Sequence, residues 1–76
     1  MKHAREDYNR FQDPAGKIPE DEPVMLFRAQ DKYFLDVLYF YAACVKRDDP
    51  ESPIIKRVED HIELAKNWSV QKMPDL

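Results

Sequence analysis

The densest group of polar side chains that could bind a ligand lies at Arg28, Gln30, Asp31 and Lys32. A guanidinium, an amide, a carboxylate and an ammonium near the start of a helix can hold a phosphate, a carboxylate or the edge of a base. A purely structural interpretation competes with this one. In it, Arg28 pairs with Asp31 or with an acidic residue of the preceding segment, and Asp31 acts only as a helix cap.

Aromatic residues nearby would complete such a site. A buried tyrosine needs a polar partner for its hydroxyl, so tyrosines beside arginines suit a subunit interface or a pocket formed at one. We expect tyrosines to stack on the ligand and an N-terminal arginine, Arg5 or Arg10, to close over it. The predicted ligand-binding residues are Arg10, Arg28, Gln30, Lys32, Tyr33 and Tyr41.

Other patterns that support chemistry are weak. The acidic run at 20–22 lacks the spaced oxygen ligands of a calcium loop, so we expect a solvated turn or cap. Glu59 and Glu63 are one turn apart, with Asp60 and His61 between them, but such a set is usual on a solvated helix face and we predict no metal site. With one glycine there is no glycine-rich phosphate loop, and no nucleophile elbow is present. We predict a non-enzymatic protein without a cofactor.

The element that must position the candidate site is a predicted helix over 31–47, DKYFLDVLYFYAACVKR. No glycine or proline interrupts it, Asp31 suits its N-cap, and Lys46 and Arg47 suit its last turn. Apolar residues lie nearly all round it, and Asp36 alone breaks the girdle in the middle. A helix of this kind is normally buried on all sides. Its apolar core of about 12 residues is shorter than the roughly 18–20 that a membrane span needs.

Three segments precede this helix. We predict a short helix over 4–12 that docks on the helix over 31–47. Residues 13–23 are predicted to form a proline-rich linker in which Gly16 takes a positive φ. Residues 24–30 are compatible with a short strand, a turn or a helical turn. We favour a turn or helix there, because no other segment offers a convincing strand partner.

A second helix is predicted over 53–68, after a turn with Asp49 or Ser52 as its cap. One apolar stripe runs along it, and the short turn predicts an antiparallel hairpin. One stripe cannot cover a helix that is apolar all round. The predicted fold is therefore all-α: an antiparallel two-helix hairpin with a short N-terminal helix, in a single domain over 1–76, assembled into a homo-oligomeric helical bundle. The stripe consists of Ile54, Ile55, Val58, Ile62 and Ala65.

Composition limits the remaining choices. A chain of 76 residues is marginal alone, and its single cysteine, Cys44, excludes an internal disulfide, so we expect a buried thiol and self-association. The net charge of −3, from 12 basic and 15 acidic residues, lacks the basic footprint of a nucleic-acid-binding protein. No apolar run follows the first charged residues, so we predict no signal peptide and a cytoplasmic location.

The run KIPEDEPVMLFRAQDK at 17–32 resembles a segment of small phage and prophage proteins without an established activity, whose tail is similar to KMPDL at 72–76. The resemblance spans 13–76, and this chain has Tyr41 where the pattern often has Trp. It implies a small accessory protein in the host cytoplasm, acting against a host defence. Some helical oligomers of that kind sequester nucleotide-like immune signals, which is a link by analogy alone.

These observations lead to two predicted functions. In the first, the protein sequesters an anionic, nucleotide-like ligand at a subunit interface without enzymatic activity. In the alternative, it is a protein-interaction module that docks on and inhibits a host protein, using an apolar face and the acidic linker.

Overall fold

The computed structural model of the chain describes residues 1–4 and 13–74. In chain order its elements are strand β1 (Lys2–His3), strand β2 (Pro23–Val24), helix α1 (Phe34–Asp48) and helix α2 (Ile54–Lys66). The predicted helix over 4–12 lies, apart from Ala4, outside the described residues. No helix in the described part of the chain combines the length and the hydropathy needed to span a bilayer.

Helix α1 begins later than predicted, with Tyr33 and not Asp31 at its N-cap. The Asp31 carboxylate accepts a hydrogen bond from the backbone N–H of Tyr33 at 2.8 Å, and its carbonyl accepts one from Phe34 at 3.0 Å. Asp31 therefore satisfies amides at the helix entrance from a turn ahead of the first helical residue. The residues on either side of it, Gln30 and Lys32, form backbone hydrogen bonds with Lys72 of the C-terminal tail.

Helix α2 is shorter at its end than predicted. Ser52, one of the two predicted caps, accepts a long hydrogen bond of 3.4 Å from the backbone N–H of Ile54. At the other end the side-chain amide of Asn67 donates to the carbonyl of Glu63 at 3.1 Å. This bond satisfies one of the last free carbonyls, so the helix ends before Trp68 and not at it.

The two helices form the predicted antiparallel hairpin. Lys46, in the last turn of α1, lies 3.5 Å from the Glu59 carboxylate in the middle of α2. Tyr39, earlier in α1, meets Lys66 at the end of α2, so the two helices run in opposite directions. The residues buried between them confirm the predicted α2 stripe, except that Ile54 is 36 % exposed. The core consists of Ala42, Ile55, Val58, Ile62 and Ala65, with Leu35 and Leu38 packed against it.

The all-α prediction holds for the hairpin but is wrong about the rest of the chain, which includes a small parallel sheet. Strands β1 and β2 pair in the register Lys2 with Pro23 and His3 with Val24. The Lys2 N–H donates to the Glu22 carbonyl at 2.7 Å. The strand partner of residues 23–24 is therefore the N-terminus, about twenty residues away in sequence, where the local pattern gave no indication of a strand.

The segment that joins β2 to α1 is irregular and was only partly anticipated. It turns at 28–31, where the Asp31 N–H donates to the Arg28 carbonyl at 2.9 Å, so the favoured turn is present but a helix is not. In the linker before β2, Gly16 has the predicted positive φ, 64°, and its N–H donates to the Asp13 carbonyl at 3.0 Å. Glycine reaches this conformation without the strain that a Cβ adds.

Candidate functional site

Helix α1 carries two apolar stripes. The inner stripe, at spacings of 3, 4 and 3 residues, contains the side chains that face α2. The second, here called the outer stripe, has spacings of 4, 3 and 4. At about 100° per residue the two stripes lie about 150° apart around the helix. The inner stripe is Leu35, Leu38, Ala42 and Val45, and the outer stripe is Tyr33, Val37, Phe40 and Cys44, with Tyr41 beside it.

The outer stripe lies open to solvent. Phe40, at its centre, is 73 % exposed, and Tyr41 beside it is 49 % exposed. Cys44 is half-buried, not buried as predicted. Within one chain, Ala42 is the only buried residue of α1. Within one chain α2 therefore covers only one side of α1, as the sequence predicted, and burial of the other sides by a second subunit stays a prediction.

Charged groups flank the outer stripe. Asp36 lies in the first turn of α1 and Arg47 in the last turn, and their positions fall on the same side of the stripe. The Arg47 guanidinium donates two hydrogen bonds to the Asp48 carboxylate, at 2.9 and 2.8 Å. The same hydrogen bonds raise the pKa of Arg47 and lower the pKa of Asp48 from their ordinary values.

A second set of polar contacts lies at the exposed edge of the interface between the two helices. Lys66 of α2 donates to the Glu63 carboxylate at 3.2 Å. The hydrogen bond to Glu63 is the main cause of a raised pKa of the Lys66 ammonium, and a hydrogen bond to Tyr39 of α1 is the next largest cause. These contacts and the Lys46–Glu59 pair lie at the surface and orient α2 on the inner side of α1. They leave the outer stripe uncovered.

Three of the predicted ligand-binding residues come together at the entrance of α1. The Lys32 ammonium lies 6.0 Å from the centroid of the Tyr33 ring, within the range of a cation–π contact. The Tyr33 hydroxyl donates to the Met73 sulfur at 3.9 Å. The Gln30 carbonyl accepts a hydrogen bond from the Lys72 N–H at 2.8 Å. The C-terminal tail is therefore part of this end of the molecule.

The other predicted residues are not brought to that entrance. Tyr41 follows Tyr33 by eight residues, which places it about 12 Å further along the helix. Arg28 is exposed in the turn before α1, and within 1–4 and 13–74 no hydrogen bond or ion pair of its side chain is recorded. The predicted pairing of Arg28 with Asp31 is thus a backbone contact only. Arg10 lies outside the described residues.

The chemistry of the helix entrance does not favour an anion strongly. The Asp31 carboxylate already accepts from the amide that an anion would otherwise use. No polar or charged side chain is buried in the described part of the chain, so the chain alone shows no enclosed polar pocket there. An anion held by Lys32 and Arg28 would remain exposed to water on at least one side.

The histidine and acidic residues of α2 that were considered as metal ligands lie at the surface. His61 is exposed, and its Nδ1 lies 3.2 Å from the Arg57 carbonyl. Over the described ranges, no group of three or more histidine, cysteine or acidic residues is arranged to hold a metal ion. Sequence reasoning missed the role of Lys72, because only the folding back of the tail brings this residue to the start of α1.

No family model, curated protein or solved structure matches this chain. The outer stripe of α1 is an exposed apolar surface on a regular helix, and its geometry suits binding.

Proposed function

We propose that this protein is a non-enzymatic interaction module that binds the apolar face of another helix through the outer stripe of α1. The observation that carries the proposal is the exposure of Phe40, which is 73 % accessible at the centre of the stripe. Aromatic side chains of this size are the usual anchors of protein interfaces. Fully burying one such side chain stabilises a complex by about 1.5–3 kcal/mol.

The spacing of the stripe favours a helical partner. The positions 33, 37, 40 and 44 recur at spacings of 4, 3 and 4, close to the 3.6 residues of a helical turn, so they form one continuous face that a partner helix can cover. The 15 residues of α1 form a rod about 22 Å long. Phe40 and Tyr41 lie near its middle, where a partner helix would exclude water best.

The surroundings of the stripe support binding without catalysis. In the part of the chain that the structure describes, no polar or charged side chain is buried. The ion pairs there are exposed: they join residues close in sequence, as in Lys56–Asp60, or residues of the two helices, as in Lys46–Glu59. General acid–base chemistry depends on groups whose pKa values are shifted by a dry environment. The resemblance to small phage proteins fits an accessory protein that acts by docking.

Site-specific photocrosslinking tests this proposal. A photoreactive phenylalanine analogue in place of Phe40 should crosslink to a polypeptide when the protein is irradiated in the cells that produce it. The same analogue in place of Leu64 is the matched control, because Leu64 is 68 % exposed on the far side of α2. Equal or absent crosslinking at both positions would contradict a docking role for the outer stripe.

A second candidate function is capture of an anionic, nucleotide-like ligand, with Arg28, Lys32 and Tyr33 as the contacts and Gln30 beside them. Its support is that Lys32 lies over Tyr33 while Arg28 has no recorded ion pair among the described residues. Cyclic dinucleotides and ADP-ribose-type nucleotides should then raise the melting temperature by several degrees, because ligand binding stabilises the native state. Arg28→Ala should remove that rise without changing the melting temperature of the free protein.

A further inference from the structure

We infer that the helix bound by the outer stripe is α1 of a second copy of this chain, so that two hairpins pair into a four-helix assembly with the two copies of α1 in the middle. This inference rests on the proposed function, because it names the partner of the same surface. The argument uses the surface area of the chain, the extent of its core and the arrangement of residues along the stripe.

The chain exposes more surface than a compact protein of its size. Its accessible surface is 6485 Å², whereas a folded monomer of 9.1 kDa exposes about 4,900 Å², leaving an excess of about 1,600 Å². Obligate homodimers bury about 1,000–2,500 Å² on each subunit. The excess lies within that range, and the exposed residues of the outer stripe supply part of it.

The dimensions of the chain lead to the same conclusion. Its radius of gyration is 14.1 Å, compared with about 11.4 Å for a compact domain of 76 residues. Among described residues no side chain is less than 2 % exposed, so the hairpin has no fully enclosed centre. A second hairpin against α1 would turn this two-layer packing into a bundle with helices on both sides of α1.

The outer stripe of one copy can pack against the outer stripe of a second copy. Two-fold symmetry brings the same surface of both copies together, so each contact occurs twice. If the axis passes near Phe40 and Tyr41, the helices run antiparallel, and Val37 of one copy lies opposite Cys44 of the other. The flank that carries Asp36 in one copy then approaches the flank that carries Arg47 in the other. Antiparallel pairing thus places Asp36 of one copy near the Arg47–Asp48 pair of the other at both ends of the contact.

The mass of the protein in solution tests whether the partner is a second copy of the chain. Sedimentation equilibrium at micromolar concentration should give the mass of two 9.1-kDa chains. Phe40→Glu should raise the dimer dissociation constant at least 100-fold, whereas the matched control Leu64→Glu should leave it within about twofold. Circular dichroism checks that Phe40→Glu keeps the helical hairpin. A wild-type monomer, or a Phe40→Glu variant that dimerises like wild type, would overturn the inference.

Disulfide crosslinking tests the orientation. In Val37→Cys, the introduced thiol should form an intermolecular disulfide with Cys44 of the second copy. The two positions lie about 10.5 Å apart along one helix, too far to bridge within a chain. The matched control Leu64→Cys should crosslink far less, and Val37→Cys combined with Cys44→Ser should lose the crosslink. Crosslinking that persists in the double variant would overturn the antiparallel arrangement.

The inference and the proposed function fail in different ways. If the purified chain is monomeric while the photoreactive analogue at position 40 crosslinks to another protein, the outer stripe docks a helix but its partner is not a second copy. If the chain is monomeric and the analogue crosslinks to nothing, both fail. A crosslinked product with the mass of two chains supports both.

Discussion

The backbones of Asp31 and Lys72 form a parallel β-bridge that ties the C-terminal tail to the entrance of α1. The Lys72 N–H donates to the Gln30 carbonyl at 2.8 Å, and the Lys32 N–H donates to the Lys72 carbonyl at 2.9 Å. The described part of the tail adds no buried apolar side chain, since Val70 and Met73 are both more than half exposed. Two backbone hydrogen bonds and the Met73 contact are among the ties of the tail to the rest of the fold.

Local opening of this bridge should be detectable. We predict that the Lys32 amide exchanges with solvent at least tenfold faster than that of Ile62, because the bridge can open without unfolding the hairpin. Hydrogen exchange followed by NMR measures both amides. Deleting residues 70–76 should abolish protection at Lys32, and deleting only 75–76 should not. Equal protection at Lys32 and Ile62 would show that the tail and the hairpin unfold together.

Truncating a side chain of the core should lower the free energy of unfolding far more than truncating one at the surface. Ile62 is 5 % exposed between the helices, so Ile62→Ala should destabilise the protein by about 2–5 kcal/mol through lost burial and a cavity. Leu64→Ala, at a site that is 68 % exposed, should change stability by less than about 0.5 kcal/mol. Thermal melts at one fixed protein concentration compare the two. Similar melting temperatures would contradict the assigned core.

Backbone conformation alone should make Gly16 sensitive to substitution. Its φ is +64°, and a Cβ placed there would meet nothing within 4 Å, so the penalty in Gly16→Ala is conformational and not a clash. We expect a loss of about 1 kcal/mol in unfolding free energy. Gly16→Asn is the matched control, because asparagine tolerates this region better and should lose less. Chemical denaturation measures both, and an equal loss in the two variants would refute this explanation.

The Arg47–Asp48 pair should leave a pH signature. Its hydrogen bonds hold the pKa of Asp48 below the ordinary value of an aspartate. The contribution to stability is therefore complete above the unfolded-state pKa and is lost as the pH falls through the lower folded-state pKa. NMR titration of the Asp48 carboxyl should show the depressed pKa, and Arg47→Gln should return it toward the ordinary range. An unchanged titration in Arg47→Gln would assign the shift to another cause.

Much of the helical hairpin could be predicted from local sequence. The amphipathic spacing of α2 identified four buried residues of the stripe, because a 3.6-residue repeat turns one face toward its neighbour whatever the rest of the chain does. The prolines and the single glycine located the linker and the conformation of Gly16. The apolar content of α1 was also evident, and the exposure of Phe40 and Tyr41 agrees with the expectation that α2 alone cannot cover this helix.

The candidate ligand site could be predicted only in part. Lys32 and Tyr33 are neighbours in sequence and remain neighbours in space, whereas Tyr41 faces another side of the helix further along. The contribution of Lys72 had no local signal, because its position is set by backbone hydrogen bonds to a distant segment.

The sequence by itself determined that there are two helices, that they are joined by a short turn, and that α1 has more apolar surface than α2 can cover. These properties depend on neighbours within a few residues. Only the tertiary structure decided that β1 pairs with β2, that Lys72 meets Asp31, and which stripe of α1 stays open. Those outcomes depend on contacts between segments separated by about twenty to forty residues, which compete for the same backbone groups and apolar faces, and no local propensity ranks them.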